Sequence, residues 1–589
     1  MAVAHAAGID ICFANPGTTE MWLVSALDKQ PGVRACLGLH EAVCTGAADG
    51  YARMARRPAM VLLHLGPGYA NGICNLHNAR RARTPVVAVV GDMASWHRAA
   101  DPPLNTDLEG LAASQGAVAA VPSAPAAAAS MRAAIGAAAA GARGGGRASS
   151  IATLLFPHDF SWTELSGSEA ADAASEAAAA ASEAAAASEA AGGGGGSGAG
   201  GLAASPGARA FLRDCAAALK AAGARGKAAL LLGGGATLEG DALRNAGLIA
   251  AATGARAFVE PLFARVDRGA GLPHLRRLAY FPQASFALGS AAQLSGYDVL
   301  LLVDARRPVA PFGYAGAPSS LVSQPDAAVW EIDAAWGAPE ALALLAAEVG
   351  CGGVVPGVGC GGVFSPPAPA RPQMPRPEGR LTPASLCATI AALQPEGAIV
   401  VDESLTSGGA YWDAAKGCPP FSHLTITGGA IGCGPPMALG AALACPGRRV
   451  INLQADGSGM YTLQARFCLA LWSQAREGAR VLTVVCANSS YAILKVESAR
   501  QGVPPAAAAS PGPAAATTPQ GPSAPAPSRA HPSASQALTS LAGPALDWVS
   551  LAAGMGVPGG RARTAGELAA LVGEGLRREG PFLVEAVLP

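Results

Sequence analysis

The strongest constraint on this chain is a repeated unit: a short unbroken apolar run, a turn, then a helical stretch of small residues. Such runs are Ile9–Ala14, Ala59–Leu65, Pro85–Gly91, Ile151–Phe156, Ala228–Leu232, Val299–Val303, Ala398–Asp402, Val481–Ala487 and Phe582–Val587, with Arg449–Gln454 a more polar counterpart. Shorter ones fall at Arg34–Leu39, Ala257–Glu260 and Val329–Ile332. Runs that do not alternate with polar residues are buried on both faces, the habit of parallel strands covered by helices. The fold class is therefore α/β, with doubly wound parallel sheets. In such sheets ligands collect at the carboxyl ends of strands, where Thr18, Glu41 and His64 fall in the first part of the chain.

A chain of 589 residues exceeds one domain. Two tracts break the pattern. Residues 166–206 hold Ser-Glu-Ala repeats running into poly-Gly, and 351–380 are Gly- and Pro-rich. Both read as linkers, the Ala/Glu part helix-prone on its own and the Gly part a coil. Three parallel-sheet domains result, at 1–165, 207–350 and 381–589, the last with a disordered Pro/Ala/Ser insertion at 503–536.

Lys plus Arg and Asp plus Glu balance at 41 each, so no net field favours nucleic acid or an anionic membrane. No apolar run is long enough to span a bilayer. The 13 cysteines contain no CxxC pair, which argues against a disulfide framework or a zinc site and for small buried hydrophobes. No signal h-region opens the chain.

Two stretches carry chemistry. Leu39–Arg53 places Glu41 among small and apolar residues, where a carboxylate is costly without a partner. Far downstream, Ala455-Asp456-Gly457-Ser458 ends one strand and Ala487-Asn488-Ser489-Ser490 ends the next. Asp456 and Asn488 offer hard oxygens of the kind magnesium takes alongside phosphate. Gly457 and Ser458 open a helix whose N–H groups can meet phosphate oxygens.

Together these stretches resemble the thiamine-diphosphate enzymes of the acetolactate synthase, benzoylformate decarboxylase and pyruvate decarboxylase group. The resemblance implies three domains, pyrimidine-binding, a Rossmann-like middle with a six-stranded sheet, and diphosphate-binding. Glu41 would hydrogen-bond the aminopyrimidine, the Gly429 carbonyl would accept from its 4′-amino group, and Ile431 would prop the thiazolium. Asp456, Asn488 and the Ser490 carbonyl would hold Mg2+, and Gly457, Ser458 and Tyr491 would line the diphosphate. His64 and Thr18 match substrate-side positions of benzoylformate decarboxylase, and His40 is a weaker candidate. The implied reaction is decarboxylation of a 2-oxo acid through a C2 ylide, followed by carboligation as in acetolactate synthase. The alternatives are simple decarboxylation of the benzoylformate type, or a weakly active paralogue with a regulatory role. FAD, carried by the middle domain of acetolactate synthases, is not favoured, because Gly233-Gly234-Gly235 is not G-x-G-x-x-G. A homodimer or tetramer with sites at the subunit interface is expected, with Glu41 of one subunit serving Asp456 and Asn488 of the other. The expected location is cytoplasmic, or an organelle if the N-terminus is incomplete.

Asp456 and Asn488 lie farther apart than the resemblance implies, with the surplus at Arg466-Phe467-Cys468-Leu469-Ala470. Five residues added to a helix rotate its downstream half by about 500°. The expectation is that this segment loops out, or is absent from the mature protein, and that its deletion spares cofactor binding.

Overall fold

The computed structural model describes residues 1–144, 149–192, 205–234, 238–279, 293–313, 318–332, 336–351, 370–500 and 534–589. The first sheet holds β1 (Ile11–Ala14), β2 (Arg34–Leu37), β3 (Ala59–His64), β4 (Val86–Asp92), β5 (Ala117–Ala120) and β6 (Ile151–Pro157). Their order is β2-β1-β3-β4-β6-β5, all parallel. Alternate strand residues serve two cores. Val61 and Leu63 pack with Val43 and Tyr51 on one face, and Met60 and Leu62 with Leu23 and Ile135 on the other. β5, Ala-Val-Ala-Ala at the sheet edge, is half exposed and carries no run that marks it in the sequence.

The middle sheet holds β7 (Ala228–Leu232), β8 (Arg256–Val259), β10 (Arg276–Arg277), β11 (Val299–Val303) and β12 (Val329–Ile332), parallel, in the order β10-β8-β7-β11-β12. Among the described residues it has five strands where six are expected. The intervening β9 (Val266–Arg268) leaves it for the third sheet. That sheet adds β13 (Ile399–Glu403), β14 (Phe421–Thr425), β15 (Val450–Ala455), β16 (Val481–Ala487), β17 (Gly559–Ala562) and β18 (Phe582–Val587). Its order is β17-β18-β16-β15-β13-β14-β9. The doubly wound parallel architecture is present, with one antiparallel addition, β9 against β14 at the edge of the third sheet.

The Ala/Glu tract is also corrected. It forms a helix, Gly167–Gly192, that packs on the first sheet's outer layer. Ala180 is buried with Val3, Ala4 and Met131, and Arg132 binds Glu176 at 2.5 Å and Glu183 at 2.8 Å. Alanine supplies helix propensity and a face small enough to seat closely. The poly-Gly stretch, most of 351–380 and nearly all of 503–536 lie outside the described residues.

A third correction concerns 466–470, which does not loop out. Residues Leu463–Cys468 form a π-helical turn leading directly into helix Leu469–Arg476. The wider turn absorbs surplus residues without rotating the adjoining helix off the core. Phe467 is buried edge-on against Trp548, with ring centroids 4.9 Å apart, and Ala470 is buried.

The first and third units meet along helices Glu41–Ala55 and Gly434–Ala444. A methyl on Gly50 would run into the Met437 carbonyl, and one on Gly440 into the Ala47 carbonyl. Beside this seam Arg53 pairs with Asp49 at 2.6 Å, both buried. Arg53 also donates to the carbonyls of Thr425 (2.8 Å) and Ala264 (3.1 Å), tying the first unit to both others. Among the described residues no helix is long and apolar enough to cross a membrane.

Candidate functional site

Glu41 is the first residue of its helix, 6% exposed, at the carboxyl end of the first sheet. Asn15, just past β1, donates to its Oε1 at 3.1 Å, and Asn71 donates to Oε2 at 3.1 Å. Among the described residues no cation pairs with it. Two neutral amides therefore orient the carboxylate without neutralising it. Gly68 lies against it, where a Cβ would stand 3.0 Å from Oε1. His40 caps the same helix, its Nδ1 accepting from Ala42 N at 3.1 Å. Burial lowers the His40 pKa, so the ring is neutral near pH 7.

His64 ends β3 and is followed by Leu65 at φ 53, a conformation an L-residue adopts at a cost. Its Nδ1 lies 2.8 Å from Oε2 of fully buried Glu20 and 3.3 Å from Thr19 Oγ1. Glu20 also accepts from Gly17 N (2.7 Å) and Thr19 Oγ1 (2.5 Å). The structure thus places Thr19 on His64, while Thr18, expected on the substrate side, is exposed in the same turn.

The second cluster sits at the carboxyl ends of β15 and β16. Asp456 is 3% exposed, its Oδ1 accepting from Gly457 N (2.7 Å) and Oδ2 from Ser489 N (2.6 Å). Burial raises its pKa against the pull of these N–H groups. Asn488 Oδ1 accepts from Ser490 N at 3.0 Å. Ser489 between them has φ 53. The Tyr491 ring covers Gly457, where a Cβ would meet it at 2.8 Å. A cavity of about 410 Å³ opens beside Asp456, lined also by Ser489, Leu541, Trp548 and Arg563.

The loop carrying Gly429 (φ 78) and Ile431 is fixed from two sides. Buried Glu403 accepts from Gly432 N (2.5 Å) and Gly434 N (2.6 Å), and burial raises its pKa. From the first unit, Asn78 donates to the Ala430 carbonyl (2.9 Å) and accepts from Ala430 N (3.2 Å). Arg466, inside the surplus segment, donates to the Ile431 carbonyl at 2.8 Å.

These residues fit a magnesium-bound diphosphate at one end and an aminopyrimidine at the other. The buried Ser458 Oγ has no hydrogen-bond partner, an orphan that a phosphate oxygen would satisfy. One carboxylate, one amide oxygen and one carbonyl form a hard-oxygen set suited to Mg2+. All of Glu41's contacts come from the first unit and all of Asp456's from the third. Sequence reasoning missed Asn15, Asn71, Glu20, Glu403 and Asn78. Only Glu403 carried a signal, being a carboxylate at the end of an apolar run.

Comparison with known proteins gives a consistent picture. The thiamine pyrophosphate enzyme N-terminal TPP binding domain matches residues 1–111, and the C-terminal TPP binding domain matches residues 411–586. A Mycobacterium tuberculosis protein named "Putative acetolactate synthase large subunit IlvX" is 42% identical, covering 99% of this chain and 96% of its own length. A benzoylformate decarboxylase from Pseudomonas aeruginosa is 28% identical, covering 98% and 96%. The structure of a thiamine diphosphate-dependent 4-hydroxybenzoylformate decarboxylase from Rhodococcus jostii RHA1 superposes with TM-score 0.74 at 23% identity. It covers 100% of this chain and 97% of that one, a likeness of fold.

Proposed function

We propose, from the premise that this chain belongs to the thiamine pyrophosphate enzyme family, that it is a magnesium-dependent enzyme that decarboxylates a 2-oxo acid and joins the product to a second carbonyl compound. One observation carries the reading: Glu41 is a buried carboxylate held by two amides and, among the described residues, paired with no cation, which leaves it able to accept a hydrogen bond from a bound ligand.

Asp456, Asn488 and the Ser490 carbonyl would hold the metal, and Ser458 with the backbone of Gly457 would hold the diphosphate. Glu41 would share a proton with the pyrimidine ring, the Gly429 carbonyl would accept from its amino group, and Ile431 would set the ring angle. When bound, thiamine diphosphate supplies the electron sink that makes loss of CO2 favourable. The protein's part is orientation. Asn15 and Asn71 hold Glu41 at one geometry, and Glu403 and Asn78 do so for the Ile431 loop. Orientation of this kind can remove up to roughly 7–11 kcal/mol of barrier in well-aligned systems. His64, with Nδ1 engaged by Glu20, keeps Nε2 for proton transfer at the substrate.

A second reading is a non-ligating decarboxylase of the benzoylformate type. The His64–Glu20 pair favours it, since a fixed proton donor promotes release of an aldehyde over carbon–carbon bond formation. Incubation with thiamine diphosphate, Mg2+ and a panel of 2-oxo acids separates the two by products: 2-hydroxyketones or acetohydroxy acids for the first, free aldehyde for the second. Absence of CO2 from every acid, with calorimetry showing no cofactor uptake by folded protein, overturns both.

A further inference from the structure

Away from that site, β9 carries a buried arginine that has no acidic partner among the described residues. Arg268 is 5% exposed, its guanidinium stacked on the Trp412 ring at 3.6 Å and 5.4 Å from the Phe421 ring. A guanidinium has five N–H donors. Two bonds to protein are present, to His423 Nδ1 at 3.1 Å and to the Trp412 carbonyl. Among the described residues no carboxylate pairs with it. Asp402 stands on the far side of His423, 3.4 Å from Nε2. Because arginine cannot give up its proton, His423 Nδ1 is the acceptor and its Nε2 carries the hydrogen. The nearby Arg277 is a second cation, held over the Phe263 ring at 5.3 Å.

Arg268 lines a cavity of about 60 Å³ together with His274, Trp412, Leu275 and Lys416. Asp267 also borders it, but its carboxylate is taken by Arg265 (3.2 Å) and Ser422 (2.8 Å). Lys416 pairs with Asp413 at the rim, 2.7 Å away. A water needs about 10–15 Å³ of such space, so the cavity has room for a small ion and a little water. An unpaired buried cation is costly, and an anion beside it removes most of that cost.

We infer that this cavity binds one small monovalent anion, of the size of chloride, formate or bicarbonate, that bonds to Arg268 and His274 and pins β9 to the third sheet. Burial and the neighbouring cations Lys416 and Arg268 hold His274 at a pKa of about 4, so near neutrality it offers a neutral N–H. Occupancy of the cavity does not depend on the cofactor.

Thermal unfolding of the full chain in sodium chloride, bromide, formate or bicarbonate, against gluconate at equal ionic strength, tests it. A saturable rise of roughly 1–3 °C is expected with the small anions, the best of them identifying the source. It should vanish in Arg268→Met and fall in His274→Ala, a milder change that covers the case in which Arg268→Met does not fold. Crystals in bromide should show an anomalous peak within hydrogen-bond distance of Arg268. Equal Tm in all anions, an undiminished rise in His274→Ala, or bromide only at the surface overturns the inference.

Discussion

Glu41→Gln keeps the shape of the side chain and one of its two amide contacts, from Asn15 or Asn71, and removes the group that shares a proton. Turnover should fall at least about 100-fold with Tm nearly unchanged, read by CO2 release and calorimetry. Asn71→Ala frees one oxygen of the same carboxylate. It should cost less, about tenfold, and a loss as deep as that of Glu41→Gln would mean Asn71 does more than orient. Glu41 and Asp456 were legible as residue types in unlikely surroundings, a charge in a small apolar stretch and an acid at a strand end. Their supports were not. Asn15 and Asn71 are ordinary polar residues until folding brings a turn and a helix to the same carboxylate. Thr19 was no more legible: in a single tight turn, one residue of offset decides which hydroxyl meets Glu20 and His64.

At the scale of elements, the π-helical turn Leu463–Cys468 is part of the scaffold. Deleting 466–470 removes Phe467 from the Trp548 contact and Arg466 from the Ile431 carbonyl. The expected outcome is insoluble or unfolded protein, seen by far-UV circular dichroism, in contrast to the reading of the segment as dispensable. Phe467→Ala alone should cost about 3–5 kcal/mol in denaturant unfolding. The same scale shows why the Ala/Glu tract misled. Its composition matches a spacer, and the docked helix shows only in the folded chain, in the burial of Ala180 and the position of Arg132 opposite Glu176 and Glu183. Strands long and apolar enough to be buried on both faces were read within a residue or two. β5 and β9 escaped because short edge strands carry little pattern.

At the scale of the molecule, acid stability follows from the junction between the middle segment and the third sheet. Burial holds His423 at about 4, below its unfolded value, so the unfolded chain takes up the proton first as pH falls. Stability from this group is therefore lost between about pH 6.5 and 4. Burial alone would raise Asp402, but His423, Arg277 and Ser404 hold it at about 2, and its contribution is lost below the usual carboxylate range. Glu260, pushed up by burial to about 7, acts in the opposite sense, costing stability as pH rises from 4.5 to 7. His423→Gln should flatten the pH dependence of unfolding between 6.5 and 4 by close to one proton relative to the parent, measured in urea. Subunit pairing has its own test. If Glu41 of one subunit serves Asp456 of the other, mixing inactive Glu41→Gln and Asp456→Asn chains restores about a quarter of parental activity through statistical heterodimers. If both groups act within one chain, mixing restores nothing.

The flush seam between helices Glu41–Ala55 and Gly434–Ala444 has a genetic corollary. With crossed sites, each polypeptide supplies the front half of one reaction centre and the back half of another, and the seam aligns both halves together. An allele that wedges this seam apart, such as Gly440→Ala, would then spoil two centres in every mixed pair and act dominantly over the normal copy. An allele confined to Glu41 would spoil only one.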